Sequence, residues 1–155
     1  MILISHRGNL DKINPELENR QSYIDSAILF GYDVEIDVWE KDGSLFLGHD
    51  EPTYPVSLDW LLDRKDRLWI HTKNAGALFS LIDTKLKLFY HQKENHTIIH
   101  NTNLVWSHEL SEAGPKSIIP LLSSEQLKNH DGKEVYAICS DFVAEVIYVT
   151  NQPVE

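Results

Sequence analysis

The chain has 155 residues, of which 42% are hydrophobic and 25% are charged, and its formal net charge is −10 at pH 7. This composition is that of an ordinary globular domain and excludes a disordered or fibrous protein. The negative charge, with no cluster of Lys and Arg among aromatic residues, disfavours a nucleic-acid partner.

The sequence also indicates where the protein works. No apolar run reaches the roughly 18 to 20 residues that cross a bilayer, so no membrane span is expected. Residues 1–5 form a short strand-like run instead of a basic leader with a long apolar stretch, so no signal peptide is expected. Cys139 is the single cysteine, which excludes an intramolecular disulfide and fits a reducing compartment. We therefore expect a cytoplasmic protein.

Along the chain, short apolar runs alternate with helical segments. Strands are predicted at residues 2–5, 34–38, 44–48, 68–70, 86–90, 103–106, 117–122 and 135–139. A helix is predicted over 19–31 with Gly31 as its stop, and shorter helices over 57–62, 75–82 and 123–127. No repeat or linker interrupts this pattern, so residues 1–155 are expected to form one domain.

Strands that alternate with helices predict a parallel α/β sheet. Polar residues follow several of the strands, as they do at the mouth of a (β/α) barrel. A complete eight-stranded barrel takes about 250 residues, more than this chain has. The predicted fold is therefore an α/β, TIM-barrel-like barrel that is reduced or incomplete. We expect seven or eight strands, with several helices replaced by loops, mostly in the second half.

One strand carries a pair of carboxylates. Glu35 and Asp37 alternate with aliphatic residues, so both project from the same face of the strand. Two carboxylates at a buried sheet end need a neutralising cation, and hard divalent ions take oxygen ligands. An edge strand with a solvated acidic face would explain the same alternation.

Three further residues carry chemistry. His6 and His49 each follow an apolar run, and imidazole exchanges protons near neutral pH. Arg7 has the planar donors that suit a phosphate oxygen. Taken singly, each histidine is equally explained as a surface or core residue, and Arg7 as a partner in a surface salt bridge.

The order of the motifs adds specificity. They are His6-Arg7-Gly8, Pro15-Glu16-Leu17-Glu18-Asn19, Gly31-Tyr32-Asp33, Glu35-Ile36-Asp37, Lys41-Asp42-Gly43 and His49-Asp50. Over roughly the first third of the chain, this ordered set resembles the glycerophosphodiester phosphodiesterase family, within the phosphatidylinositol-phospholipase-C-like barrel superfamily.

The resemblance implies a metal-dependent phosphodiester hydrolase acting on a small-molecule or polymeric phosphodiester. His6 and His49 would be the general acid/base pair, and Arg7 would bind the phosphate. Glu35 and Asp37 would bind a divalent cation, with Mg²⁺ or Ca²⁺ expected first. The nucleophile in this superfamily is water or a neighbouring substrate hydroxyl, and the latter gives a cyclic phosphate. Supporting roles are implied for Glu18 and Asn19.

The third strand departs from the family pattern. The family has Glu-x-Lys where this chain has His71-Thr72-Lys73, so an imidazole replaces a carboxylate while Lys73 is retained. Imidazole ligates Mn²⁺, Fe²⁺ or Zn²⁺ better than Mg²⁺. His71 therefore either binds the metal or contacts the substrate while water completes the metal shell. Trp106, at another strand end, is expected either to line the substrate pocket with Lys73 or to be structural.

Two alternatives to the hydrolase follow from this departure. One is a phosphate-ester binding module that has lost catalysis with its third acidic ligand. The other is a transition-metal hydrolase that uses Glu35, Asp37 and His71. A reduced barrel would also leave the site open, or closed by a second subunit of a homo-oligomer.

Overall fold

The computed structural model describes residues 1–130 and 132–150. They form an α/β fold with a curled mixed sheet and few helices. The strands are β1 (Ile2–His6), β2 (Asp33–Lys41), β3 (Ser44–Leu47), β4 (Tyr54–Val56), β5 (Leu68–Thr72), β6 (Leu88–Phe89), β7 (His96–Ile98), β8 (Val105–Ser107), β9 (Ser117–Pro120) and β10 (Ala137–Ser140). The α-helices are α1 (Gln21–Leu29), α2 (Leu58–Asp63), α3 (Ala75–Leu81), α4 (Ser124–Lys128) and α5 (Val143–Thr150), and a 3₁₀ turn spans Leu110–Glu112.

The sheet is centred on β1, which lies parallel to β2 on one side and to β10 on the other. Parallel pairing continues from β2 to β5 and β6, and from β10 to β9 and β8. β3 and β4 extend β2 as antiparallel strands, and β7 is antiparallel to β8. The parallel part of this curled sheet is compatible with the reduced barrel that was predicted.

Alternate residues of each strand enter different cores, as the period of two requires. In β5, Trp69 packs in the cluster shared by β1, β6, β8, β9 and β10, whereas Leu68 and Ile70 pack with α1, α2 and α3. A third cluster joins β9 and β10 to α4 and α5. The first cluster lies beneath the strand ends that carry the polar residues, and its members are Ile4, Trp69, Phe89, Ile99, Leu104, Trp106, Ile118, Ala137 and Cys139.

Helices are scarce in the second half, as the chain length predicts. Between β6 and β9, where every residue is described, the chain forms only the β7–β8 hairpin and the 3₁₀ turn. Each of the eight predicted strands overlaps an observed one, but the expected total was too low because β4 and β7 were missed. α5 was missed as well. Within residues 1–130 and 132–150, no helix has both the length and the apolar character needed to cross a bilayer.

The two ends of the parallel array meet at a junction that we name the seam, formed by residues 86–88 and 100–101. Among the described residues, one isolated backbone bridge, Leu88 to His100, joins these segments. The Asn101 side-chain amide donates to the carbonyl oxygens of Thr84 (2.8 Å) and Leu86 (2.7 Å). Asn101 has φ of 61°, a conformation that Asn tolerates better than most residues. Side chains therefore hold much of the seam.

Candidate active site

The register of the sheet places the predicted site residues side by side. His6 at the end of β1 is the pairing partner of Glu35 in β2, and Asp37 is the partner of His71 in β5. Because these strands are parallel, their carboxyl ends open at one edge. Residues far apart in sequence thus become neighbours, as the strand-end pattern predicts.

Asp37 is the centre of this group and is fully buried. Its Oδ2 accepts a hydrogen bond from the Asn19 side-chain amide at 2.9 Å and pairs with Arg7 Nε at 2.9 Å. Its Oδ1 lies 3.2 Å from His71 Nδ1 and 3.3 Å from Lys73 Nζ. Burial by itself raises the pKa of Asp37, but His71, Arg7 and Lys73 outweigh it and hold that pKa well below the usual range. Asp37 is therefore a carboxylate at neutral pH.

The turn after β1 directs Arg7 into the site. Arg7 has φ of 55° and is followed by Gly8 with φ of 95°. The Arg7 amide donates to the Glu35 carbonyl oxygen at 2.9 Å, and the Arg7 carbonyl oxygen accepts from the Asn19 amide at 3.1 Å. The guanidinium also pairs with Glu18 through Nη1 at 3.3 Å. Glu18 and Asn19, predicted as supporting residues, thus contact Arg7 and Asp37 directly.

His6 is held by two residues that sequence reasoning missed. Its Nδ1 lies 2.8 Å from Asp141 Oδ1, and the Asn9 side-chain amide donates to the same oxygen at 2.7 Å. Because a carboxylate only accepts, Nδ1 carries the proton and Nε2 faces Glu35, 3.7 Å away. Burial lowers the pKa of His6, but the hydrogen bond to Asp141 and the charge of Glu35 outweigh burial and raise it.

A cation would complete the geometry around Glu35. Ligand atoms of Glu35, Asp37 and His71 all lie within 4.8 Å of one another. Among the described residues, Glu35 Oε2 is buried without a hydrogen-bond partner, and Asp37 Oδ1 has only its contacts with His71 and Lys73. Burial and the neighbouring Asp37 carboxylate raise the pKa of Glu35. Buried carboxylate oxygens of this kind need compensation, so the group could hold a metal ion.

His49 reaches the same site from the hairpin of β2 and β3. Its side chain is 43% exposed, and its Nδ1 lies 2.8 Å from Asp50 Oδ1. Burial and the charge of Arg7 lower the pKa of His49, which favours the neutral imidazole. The Trp39 indole N–H donates to the Gly48 carbonyl oxygen at 2.7 Å and anchors the residue before His49.

Gly48 is the residue whose replacement should displace His49. Its φ is 152°, and a Cβ there would overlap the Glu51 carbonyl oxygen and lie 2.9 Å from the Thr53 hydroxyl. Gly48→Ala should therefore lower stability by about 1–3 kcal/mol, measured by urea unfolding. We also expect it to lower kcat/KM in the reaction proposed below by roughly 10-fold to 100-fold, since small misplacements of groups that take part in a reaction are costly.

Gly114→Ala is the matched control, because nothing lies within 4 Å of a Cβ at Gly114. It should change neither quantity. A Gly48→Ala protein with wild-type kcat/KM would show that the position of His49 does not depend on this turn.

Aromatic and imidazole rings form one wall of the site. His71 stacks on Phe89 with ring centroids 5.1 Å apart and on His91 at 4.5 Å. Phe89 stacks on Trp106 at 4.4 Å, so the rings continue from β6 to β8. Trp106 lines the cavity as predicted and is also a core residue, and its buried indole N–H has no hydrogen-bond partner among the described residues. His108 completes the wall, 4.8 Å from His91.

Two of the cavities at this edge share one wall. The first has a volume of about 430 Å³ and extends past Glu35 and Lys73 to the rings. The second has a volume of about 660 Å³ and extends towards the loop after β1 and the start of β4. The residues that line both cavities are His6, Arg7, His49 and Leu122.

No protein-family model, curated protein or solved structure matches this chain. The interpretation of the site therefore depends on its own geometry and on the order of its motifs. The structure brings together all ten residues singled out from the sequence, and adds Asn9 and Asp141. Asp141 follows the last predicted strand, β10, which pairs with β1, and that position was the available signal for a partner of His6.

Proposed function

We propose that the protein is a metal-dependent phosphodiester hydrolase of the glycerophosphodiester phosphodiesterase type, on a reduced TIM-barrel-like fold. One observation carries the proposal: His6, Arg7 and His49 line the wall between two cavities. A phosphate held at Arg7 would have room for one ester arm in each cavity. A phosphomonoester has only one ester arm, so it would leave one of the two cavities unfilled.

The opposite pKa shifts of the two histidines support a division of roles. His49, whose pKa is lowered, takes the proton from the attacking hydroxyl of water or of the substrate as the new P–O bond forms. His6, whose pKa is raised, gives its Nε2 proton to the leaving oxygen as the other P–O bond breaks. Arg7 binds the phosphoryl oxygens and stabilises the charge that develops on them. Asp141 keeps the His6 ring in the orientation that this transfer needs.

Glu35, Asp37 and His71 would hold the cation in this proposal. A bound divalent cation supplies Lewis-acid polarisation of the phosphoryl group. Two carboxylates suit Mg²⁺ or Ca²⁺, whereas the imidazole of His71 shifts the preference towards Mn²⁺ or Zn²⁺. Lys73 lies 3.3 Å from Asp37 and also lines the first cavity, so its charge is available to the substrate phosphate.

Hydrolysis of bis(para-nitrophenyl) phosphate by protein stripped with EDTA tests the proposal. We expect no turnover without metal and recovery with at least one of Mg²⁺, Ca²⁺, Mn²⁺ and Zn²⁺. The monoester para-nitrophenyl phosphate, used as the control, should be hydrolysed at least tenfold more slowly. No turnover with any of these ions, alongside retained binding of the diester, would contradict the hydrolase and favour the binding module.

The second candidate is a transition-metal hydrolase, which the closeness of His71 to Glu35 and Asp37 favours. Elemental analysis of the purified protein separates the two candidates. One tightly held Zn or Fe per chain supports the transition-metal enzyme. A weakly bound ion that dialysis removes, with activity restored by Mg²⁺ or Ca²⁺, supports the enzyme implied by the motifs.

A further inference from the structure

Two histidines in the wall of rings that lines the first cavity form an arrangement that the proposed reaction does not use. His91 follows β6 and His108 follows β8, and both line the cavity. Their Nε2 atoms are 3.5 Å apart, and their rings are inclined by 59°. The two Nε2 atoms are therefore close enough for one ligand atom to contact both.

The distance between these nitrogens distinguishes two explanations. An N–H donor in a protein hydrogen bond normally lies about 2.9–3.0 Å from its acceptor, so 3.5 Å is long for a bond between the rings. Two histidines on one tetrahedral Zn²⁺, each about 2.0–2.1 Å from the ion, have nitrogens about 3.4 Å apart. The observed separation fits two ligands of one ion.

Neighbouring residues position both histidines, the first through its ring and the second through its backbone. The His91 ring stacks on His71 with 4° between the planes, and the His108 amide donates to the Asn95 carbonyl oxygen at 2.7 Å. In the described part of the chain, no carboxylate lies within ion-pair distance of either imidazole. No carboxylate of the described residues is therefore paired with the facing Nε2 atoms, which remain available to a metal ion.

We propose that His91 and His108 bind a second cation, a first-row transition ion such as Zn²⁺, on the wall of rings that lines the cavity beside His71. Imidazole nitrogen selects such ions over Mg²⁺ and Ca²⁺. Two protein ligands leave coordination positions for water or for an oxygen of the bound ester. The ion would thus place positive charge beside the arm of the substrate that occupies this cavity. Metal binding by the pair does not depend on the proposed hydrolase activity.

Calorimetric titration of the EDTA-treated full chain with Zn²⁺, at a controlled ionic strength, tests the inference. The wild-type protein should bind two ions. His91→Gln and His108→Gln should each weaken one of the two sites by at least about tenfold. His100→Gln is the matched control, because His100 lies at the seam and does not line the cavity, and it should retain both ions.

Glu35→Gln separates this inference from the proposed function. It should weaken the site of Glu35, Asp37 and His71 and leave one Zn²⁺ bound at His91 and His108. Equal Zn²⁺ binding by the wild type and both glutamine variants would overturn the inference. If the wild type binds a single ion that His91→Gln and His108→Gln both remove and Glu35→Gln retains, the pair is a site and the Glu35 group is not. Titration with Mg²⁺ should detect no binding that depends on His91.

Discussion

Replacing His49 by Ala or His6 by Asn should lower kcat/KM for an aryl phosphodiester by about 10²-fold to 10⁴-fold, the usual contribution of a general acid or base. Both residues line the wall shared by the two cavities, beside Arg7. His49 is half exposed, so its removal should leave the fold intact. His6 is buried, and Asn retains a donor for the Asp141 carboxylate 2.8 Å away.

His100→Asn should retain full activity, because that residue lies outside both cavities. Circular dichroism and urea unfolding of each variant confirm that the fold is retained. The pH profile adds a readout that a folding defect would not change: each variant should lose one limb of a bell-shaped curve. Wild-type turnover in either variant would contradict the proposed acid/base pair.

Asp37→Ala should produce the largest loss of stability of any single change at this site, about 3–5 kcal/mol, the cost of leaving buried charges without their partner. The carboxylate pairs with Arg7 at 2.9 Å, with His71 at 3.2 Å and with Lys73 at 3.3 Å, and none of these residues has another pairing partner of equal burial among the described residues. Activity should also be lost, because the variant either unfolds or no longer binds the metal ion.

Urea unfolding in EDTA measures the effect, and Asp83→Ala, on an exposed turn, is the control that should change stability little. The folded-state pKa of Asp37 is depressed, so its contribution is complete above the unfolded pKa of about 4. It is lost only as the pH falls through the folded value. A loss below about 1 kcal/mol at pH 7 would contradict the central role assigned to this carboxylate.

Much of the fold was readable because strand and helix periods are distinct. The run from Val34 to Val38 alternates strictly, and the structure shows why: Glu35 and Asp37 point to the polar edge while their neighbours pack under α1 and α3. β4 was missed because it is three residues long with Pro55 at its centre. β7 was missed because His96-Thr97-Ile98 has one large apolar residue and pairs only with β8.

α5 illustrates a different limit. Val143–Thr150 is rich in β-branched residues, which favour strands by local propensity, yet it folds as a helix against β1 and β10. Tertiary packing determines the helical conformation of this segment, which its local sequence does not predict.

Some residues of the candidate site were also predictable from local sequence, and others were not. His6, Arg7, Glu35 and Asp37 follow from strand ends and motif order, which are local signals. The contact between His6 and Asp141 joins residues 135 positions apart, and only the pairing of β1 with β10 brings them together. The Nε2 contact of His91 with His108 likewise depends on how β6 and β8 approach each other, which no spacing along the chain encodes.

The seam has a consequence for how the protein moves. β2 and β5 are joined by five residue pairs, whereas the seam has, among the described residues, one backbone bridge, supported by the Asn101 hydrogen bonds and by the stack of Phe89 on Trp106. We therefore expect local opening of the curled sheet to begin at the seam, at a lower free energy than global unfolding. His91, after β6, lies on one side of the seam, and His108, after β8, lies on the other. We expect a ligand that binds both residues to favour the closed seam, so that its binding and the closure of the seam are coupled.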